Sequence, residues 1–79
     1  MDDLTETLSI RTRKLREARG WTQEELAHRV GVSARYVGEI ERHHASPTVR
    51  VLGHIAAAFE IEPGELLKPL PKRGRRAAR

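Results

Sequence analysis

Apolar residues along this chain recur three and four positions apart, the spacing of one face of an α-helix, and no segment alternates in the two-residue rhythm of a half-buried strand. Leu8, Leu15 and Ala18 predict a first helix over residues 5–19, with Arg11, Arg13, Lys14 and Arg19 turned to water. Leu26, Ala27 and Val30 mark a second helix, and Val37 and Ile40 mark the inner face of a third. Val51, Leu52, Ile55, Ala56 and Phe59 predict a fourth helix, which Thr48 can cap. The residues 62–67 suit a short fifth helix with Pro63 at its first position. The expected fold is therefore all-α, a small bundle of five helices.

The run TQEELAHRVGVSARYVGEIE over residues 22–41 is the most specific part of the pattern. Thr22 followed by Glu25 is a capping box, in which each side chain bonds the other residue's backbone N–H. Gly31 comes where a helix would end in a left-handed residue, Val32 plugs the turn and Ser33 caps the next helix. Ala27 is small where two helices must cross closely. Two short helices joined this way form a helix-turn-helix, whose second helix (residues 33–42) reads the major groove of DNA. Trp21 is expected as a plug between the first and second helices, and residues 43–47 as a loop closed by Pro47.

Charge sharpens the picture only when it is divided. Lys68, Lys72, Arg73, Arg75, Arg76 and Arg79 stand in residues 68–79 with no acid, so the overall net charge of +4 leaves residues 1–67 at −2. We therefore expect a domain over 1–67 and a disordered basic tail over 68–79, which reads as an arm for nonspecific phosphate contacts, as a solvated end without function, or as a contact for a partner or membrane surface. With no cysteine, a core this small depends on helix packing. His43 and His44 are adjacent, so their side chains diverge, and no cysteine or paired carboxylate completes a metal set. A nucleophile–base pair and a phosphate-cradling glycine loop are also missing from the pattern. The expectation is a non-enzyme without metal or cofactor. No apolar run approaches the roughly 20 residues of a membrane span, which suggests a cytoplasmic protein.

With these residues in place the chain resembles the lambda-repressor-like helix-turn-helix family of Cro, cI and Xre-type regulators. The resemblance rests on LREARGWTQEELA, the VGVS turn, VGEIER, SPTVRVLGHIAAAF and GELL, and covers residues 8–67. It implies a regulator that binds double-stranded operator DNA, usually as a homodimer on an inverted repeat. Residue by residue, it implies that Ala34, Arg35, Gly38 and Glu39 face base edges. Gln23, Ser33, Tyr36, Arg42, His43 and His44 match positions along the phosphates. Arg16 and Glu41 match an internal salt bridge between the first helix and the end of the third. Three residues depart from the family's pattern. Thr12 stands at an aliphatic position, His43 replaces a glycine, and Glu62 replaces a better cap.

Arg35 and Glu39 have chemistry of their own. Arginine can donate a bidentate pair to guanine and glutamate can accept from a cytosine amino group; spaced i, i+4, the two can equally pair with each other. Ile10 and the exposed parts of Val49 and Phe59 are candidates for a dimer surface. Two alternatives share the fold: an antitoxin or other protein partner, with a toxin or polymerase as its target, and a restriction–modification controller.

Overall fold

The computed structural model describes residues 3–71. Four α-helices follow one another, α1 (Leu4–Ala18), α2 (Gln23–Val30), α3 (Ala34–Glu41) and α4 (Val49–Phe59), before a 3₁₀ helix at Pro63–Leu67. The expected fifth α-helix is thus a tighter, five-residue turn. Pro63 opens it, but Glu62 makes no side-chain cap, and so short a segment gains little from α-helical propagation.

Every α-helix begins at a side-chain oxygen. Asp3, Thr22, Ser33 and Thr48 accept from backbone N–H groups of the first turns they precede. The endings are equally uniform. Each helix closes with an N–H reaching back five residues: Trp21 to Arg16, Val32 to Ala27, His44 to Glu39 and Ile61 to Ala56. That bond requires a left-handed residue just before it. Gly20 and Gly31 meet the requirement without strain, whereas His43 (φ 69°) and Glu60 (φ 60°) carry a Cβ into the same region.

The core takes Leu8 from α1, Leu26, Ala27 and Val30 from α2, Val37 and Ile40 from α3, Ile55, Ala56 and Phe59 from α4, and Leu66 from the 3₁₀ helix. Trp21 stacks on Phe59 with ring centroids 5.4 Å apart, and the Arg29 guanidinium lies 4.1 Å from the Trp21 ring centroid. It is the expected plug, left partly exposed.

Some expectations need correction. Phe59 is fully buried and drops out as a dimer surface. Ala18 is exposed, because the inward stripe of α1 runs 8, 12, 15 and then to Arg19. Arg19 itself is not merely solvated: it donates to the Phe59 carbonyl at 2.6 Å and lies over the Trp21 and Phe59 rings. Arg11, also expected in water, donates to the carbonyls of Lys68 (2.8 Å) and Pro69 (2.7 Å). The first residues assigned to the tail therefore run along α1, while residues 72–79 lie outside the described residues.

Candidate nucleic-acid interface

The crossing of α2 and α3 sets the site. Ala27 is buried at the crossing, and Gly31 (φ 90°) turns the chain between the helices. Ser33 accepts the Tyr36 N–H at 3.0 Å and so fixes the first turn of α3. Val37 and Ile40 are 2% and 1% exposed, and they anchor the inner face of α3. The outer face carries Arg35, whose side chain is 86% exposed, beside Glu39.

In the free protein Arg35 Nε sits 3.3 Å from Glu39 Oε2. An exposed i, i+4 pair contributes only about 0.3–0.5 kcal/mol. A good bidentate base contact discriminates by about 1–3 kcal/mol, so the pair does not prevent either residue from facing a base. Ala34 and Tyr36 are half-buried against the core. Gly38 is buried: a Cβ built on it would meet Arg42 Nη1 at 3.1 Å and Gln23 Oε1 at 3.4 Å. The structure thus brings Gln23, Gly38 and Arg42 into one group.

Beneath that group lies a charge network. Arg16 binds Glu41 through two bonds, Nε to Oε2 at 2.7 Å and Nη2 to Oε1 at 3.0 Å. Its Nη1 donates to the Trp21 carbonyl at 2.8 Å. The Glu41 side chain is 2% exposed. The hydrogen bond to Glu41 raises the Arg16 pKa above the usual arginine value; burial opposes it, and the charges of Glu41 and Glu17 reinforce it. A raised folded-state value contributes stability at every pH below the ordinary arginine range and loses it only above. Arg16 is therefore a constant charge under ordinary conditions. Glu41 Oε1 also accepts from Gln23 Nε2 at 3.1 Å, a bond the sequence reading missed.

His43 and His44 lie in the exposed turn after α3. His43 Nε2 is 3.4 Å from Asp3 Oδ2, tying that turn to the cap of α1. Asp3 was also missed, although Asp3-Leu4-Thr5-Glu6 has the spacing of a capping box. Among the described residues no three His, Cys, Asp or Glu side chains gather where they could hold a metal ion, and no helix is long and apolar enough to cross a membrane.

The helix-turn-helix family model HTH_3 matches residues 13–66, which include both crossing helices, the turn and the buried ion pair. The chain belongs to the helix-turn-helix family. It is 38% identical over 69 residues to the HTH-type transcriptional regulator SutR of Escherichia coli; the match covers 87% of this chain but only 39% of that protein. The crystal structure of the hypothetical transcription factor NHTF from Neisseria superposes with a TM-score of 0.80 at 32% identity, covering 98% of this chain and 86% of the other. The restriction–modification controller C.AhdI from Aeromonas hydrophila superposes with a TM-score of 0.75 at 37% identity, covering 78% of this chain and 94% of that one.

Proposed function

We propose that this helix-turn-helix protein is a sequence-specific DNA-binding transcriptional regulator that places α3 in the major groove of an operator, as a homodimer on an inverted repeat. The observation that carries the reading is the division of α3: Val37 and Ile40 lock one face into the core while Arg35 and Glu39 stand on the other. Gln23, Ser33 and Arg42 flank that outer face, with Tyr36, His43 and His44 along the phosphate track. Ala34 offers a short side chain through which the backbone approaches base edges; Gly38 is buried beside Gln23 and Arg42 and drops out as a base contact. The groups on this face are donors and acceptors for a polyanion and for base edges.

For the dimer, Ile10 and Val49 are the candidate faces that survive. Ile10 is partly covered and Val49 is 83% exposed.

Retention of a randomised duplex library at near-physiological salt, followed by sequencing, tests the proposal. An enriched inverted repeat with half-site centres about one helical turn apart supports it. Retention without enrichment that vanishes as salt rises rejects it, and moves a protein partner such as a toxin to the front. Arg35→Ala is expected to lose about 1–3 kcal/mol of binding and to relax preference at one base position. A uniform loss across all sequences would make Arg35 a phosphate contact instead.

A restriction–modification controller is the second reading, favoured by the 37% identity to C.AhdI and the 94% coverage of that chain. Adjacent endonuclease and methyltransferase genes, with the selected operator lying in their promoter, would establish it.

A further inference from the structure

We propose that Glu41, held in place by its ion pair with Arg16, is a positioning residue for DNA binding that acts through Gln23. The inference rests on the reading of Gln23 as a phosphate contact, and it adds the device that aims the contact.

A phosphate oxygen only accepts hydrogen bonds, so a glutamine is useful to it only with the Nε2 end forward. Left to itself, a side-chain amide rotates freely between two nearly equal orientations, one of which presents the wrong atom. Here the choice is made by a carboxylate, which also only accepts. Glu41 Oε1 takes one Nε2 hydrogen of Gln23 at 3.1 Å, which leaves the carbonyl end on the Gly38 side. The other Nε2 hydrogen has no partner among the described residues, and it sits on the first residue of α2, where the helix dipole favours an anion.

The carboxylate is itself immobile. Its side chain is 2% exposed, and both of its oxygens are bound by Arg16, which is held in turn by the Trp21 carbonyl. One chain of bonds therefore runs from α1, through the last residue of α3, to the start of α2. Gln23 enters the complex with its rotamer already selected, so less freedom is lost on binding. A Cβ at Gly38 would only touch Gln23 Oε1, at 3.4 Å, and would crowd Arg42 Nη1 at 3.1 Å, so the glycine makes room for Arg42 beside the amide.

The test uses an unusual property of the composition. Gln23 is the only glutamine and the chain has no asparagine, so the ¹⁵N–¹H correlation spectrum contains a single side-chain NH₂ pair. Glu41→Asp keeps the charge opposite Arg16 but draws the carboxylate back by one methylene, and it adds no new amide. In the wild type we expect the two protons of that pair to be well separated and slow to exchange, and in Glu41→Asp to collapse toward free glutamine values. Binding to the selected operator duplex is then compared for wild type, Gln23→Ala, Glu41→Asp and the double variant, well below their melting temperatures. Each single variant should bind about fivefold more weakly, the loss of one hydrogen bond. The salt dependence should not change, because a neutral amide releases no counterion. The double variant should bind no more weakly than Gln23→Ala.

A free-glutamine spectrum in the wild type overturns the proposal. A Glu41→Asp loss that persists in full on the Gln23→Ala background also overturns it, since Glu41 would then act through the fold alone. If Gln23→Ala weakens binding and Glu41→Asp does not, the positioning role fails while the phosphate contact stands. Wild-type binding by Gln23→Ala removes the contact itself, and the proposal with it.

Discussion

Thr12 and Glu60 show how single residues can sit against the grain of a fold they do not prevent. Thr12 is 1% exposed in the inward stripe of α1, and its hydroxyl has no hydrogen-bond partner. Burying an unsatisfied hydroxyl costs on the order of 1 kcal/mol, so Thr12→Val, which keeps the branched shape, should raise the melting temperature by about 4–8 °C. An unchanged midpoint in calorimetry would mean that the hydroxyl is satisfied in solution. Glu60 holds φ at 60° to end α4. Glu60→Gly should stabilise by about 1 kcal/mol, checked by urea midpoint at constant m-value. His43→Gly relieves the same strain but forfeits the 3.4 Å approach to Asp3, so its gain should be smaller. The strain at His43 was legible in the sequence because a glycine is usual there. The strain at Glu60 was not, since a glutamate gives no sign of positive φ.

At the scale of elements, polar capping residues announced the helices better than their apolar stripes did. Thr22, Ser33 and Thr48 cap the helices they were expected to cap, and the Thr22–Glu25 box closes at 3.0 and 3.4 Å. Periodicity says which way a residue faces, but not how completely a neighbour covers it. That is why the pattern leaves Phe59 partly exposed, although Trp21 lies across it, and puts Ala18 inside, one step off the stripe. The contact of Arg11 with residues 68 and 69 joins segments 57 and 58 positions apart, which no local pattern encodes. Within α4, Gly53 meets nothing within 4 Å of where a Cβ would stand. Gly53→Ala should therefore gain about 1 kcal/mol from helix propensity alone. A loss in thermal stability would instead reveal an unseen partner over that face.

Across the whole molecule, the candidate site was legible as a set of positions but not as a mechanism. The order Gln23, Arg35, Glu39, Arg42 follows from the helix-turn-helix spacing, whereas the bond from Gln23 to Glu41 depends on how α2 and α3 cross. The same network makes the fold and the site share one point of failure. Arg13 pairs with Glu17 in the open at 3.7 Å, and Arg16 pairs with the buried Glu41 at 2.7 Å. Arg16→Ala should destabilise by about 3 kcal/mol because it strands a buried charge, against about 0.5 kcal/mol or less for Arg13→Ala. Equal melting midpoints for the two variants would refute the difference. The single tryptophan gives this molecule its own optical gauge. Trp21 sits at the junction of α1 and α2 with the Phe59 ring stacked on it and the Arg29 guanidinium over it. When the bundle opens, the indole loses both neighbours and enters water. Its emission should then shift to the red in one step if the ion pair, the core and the helix crossing come apart together.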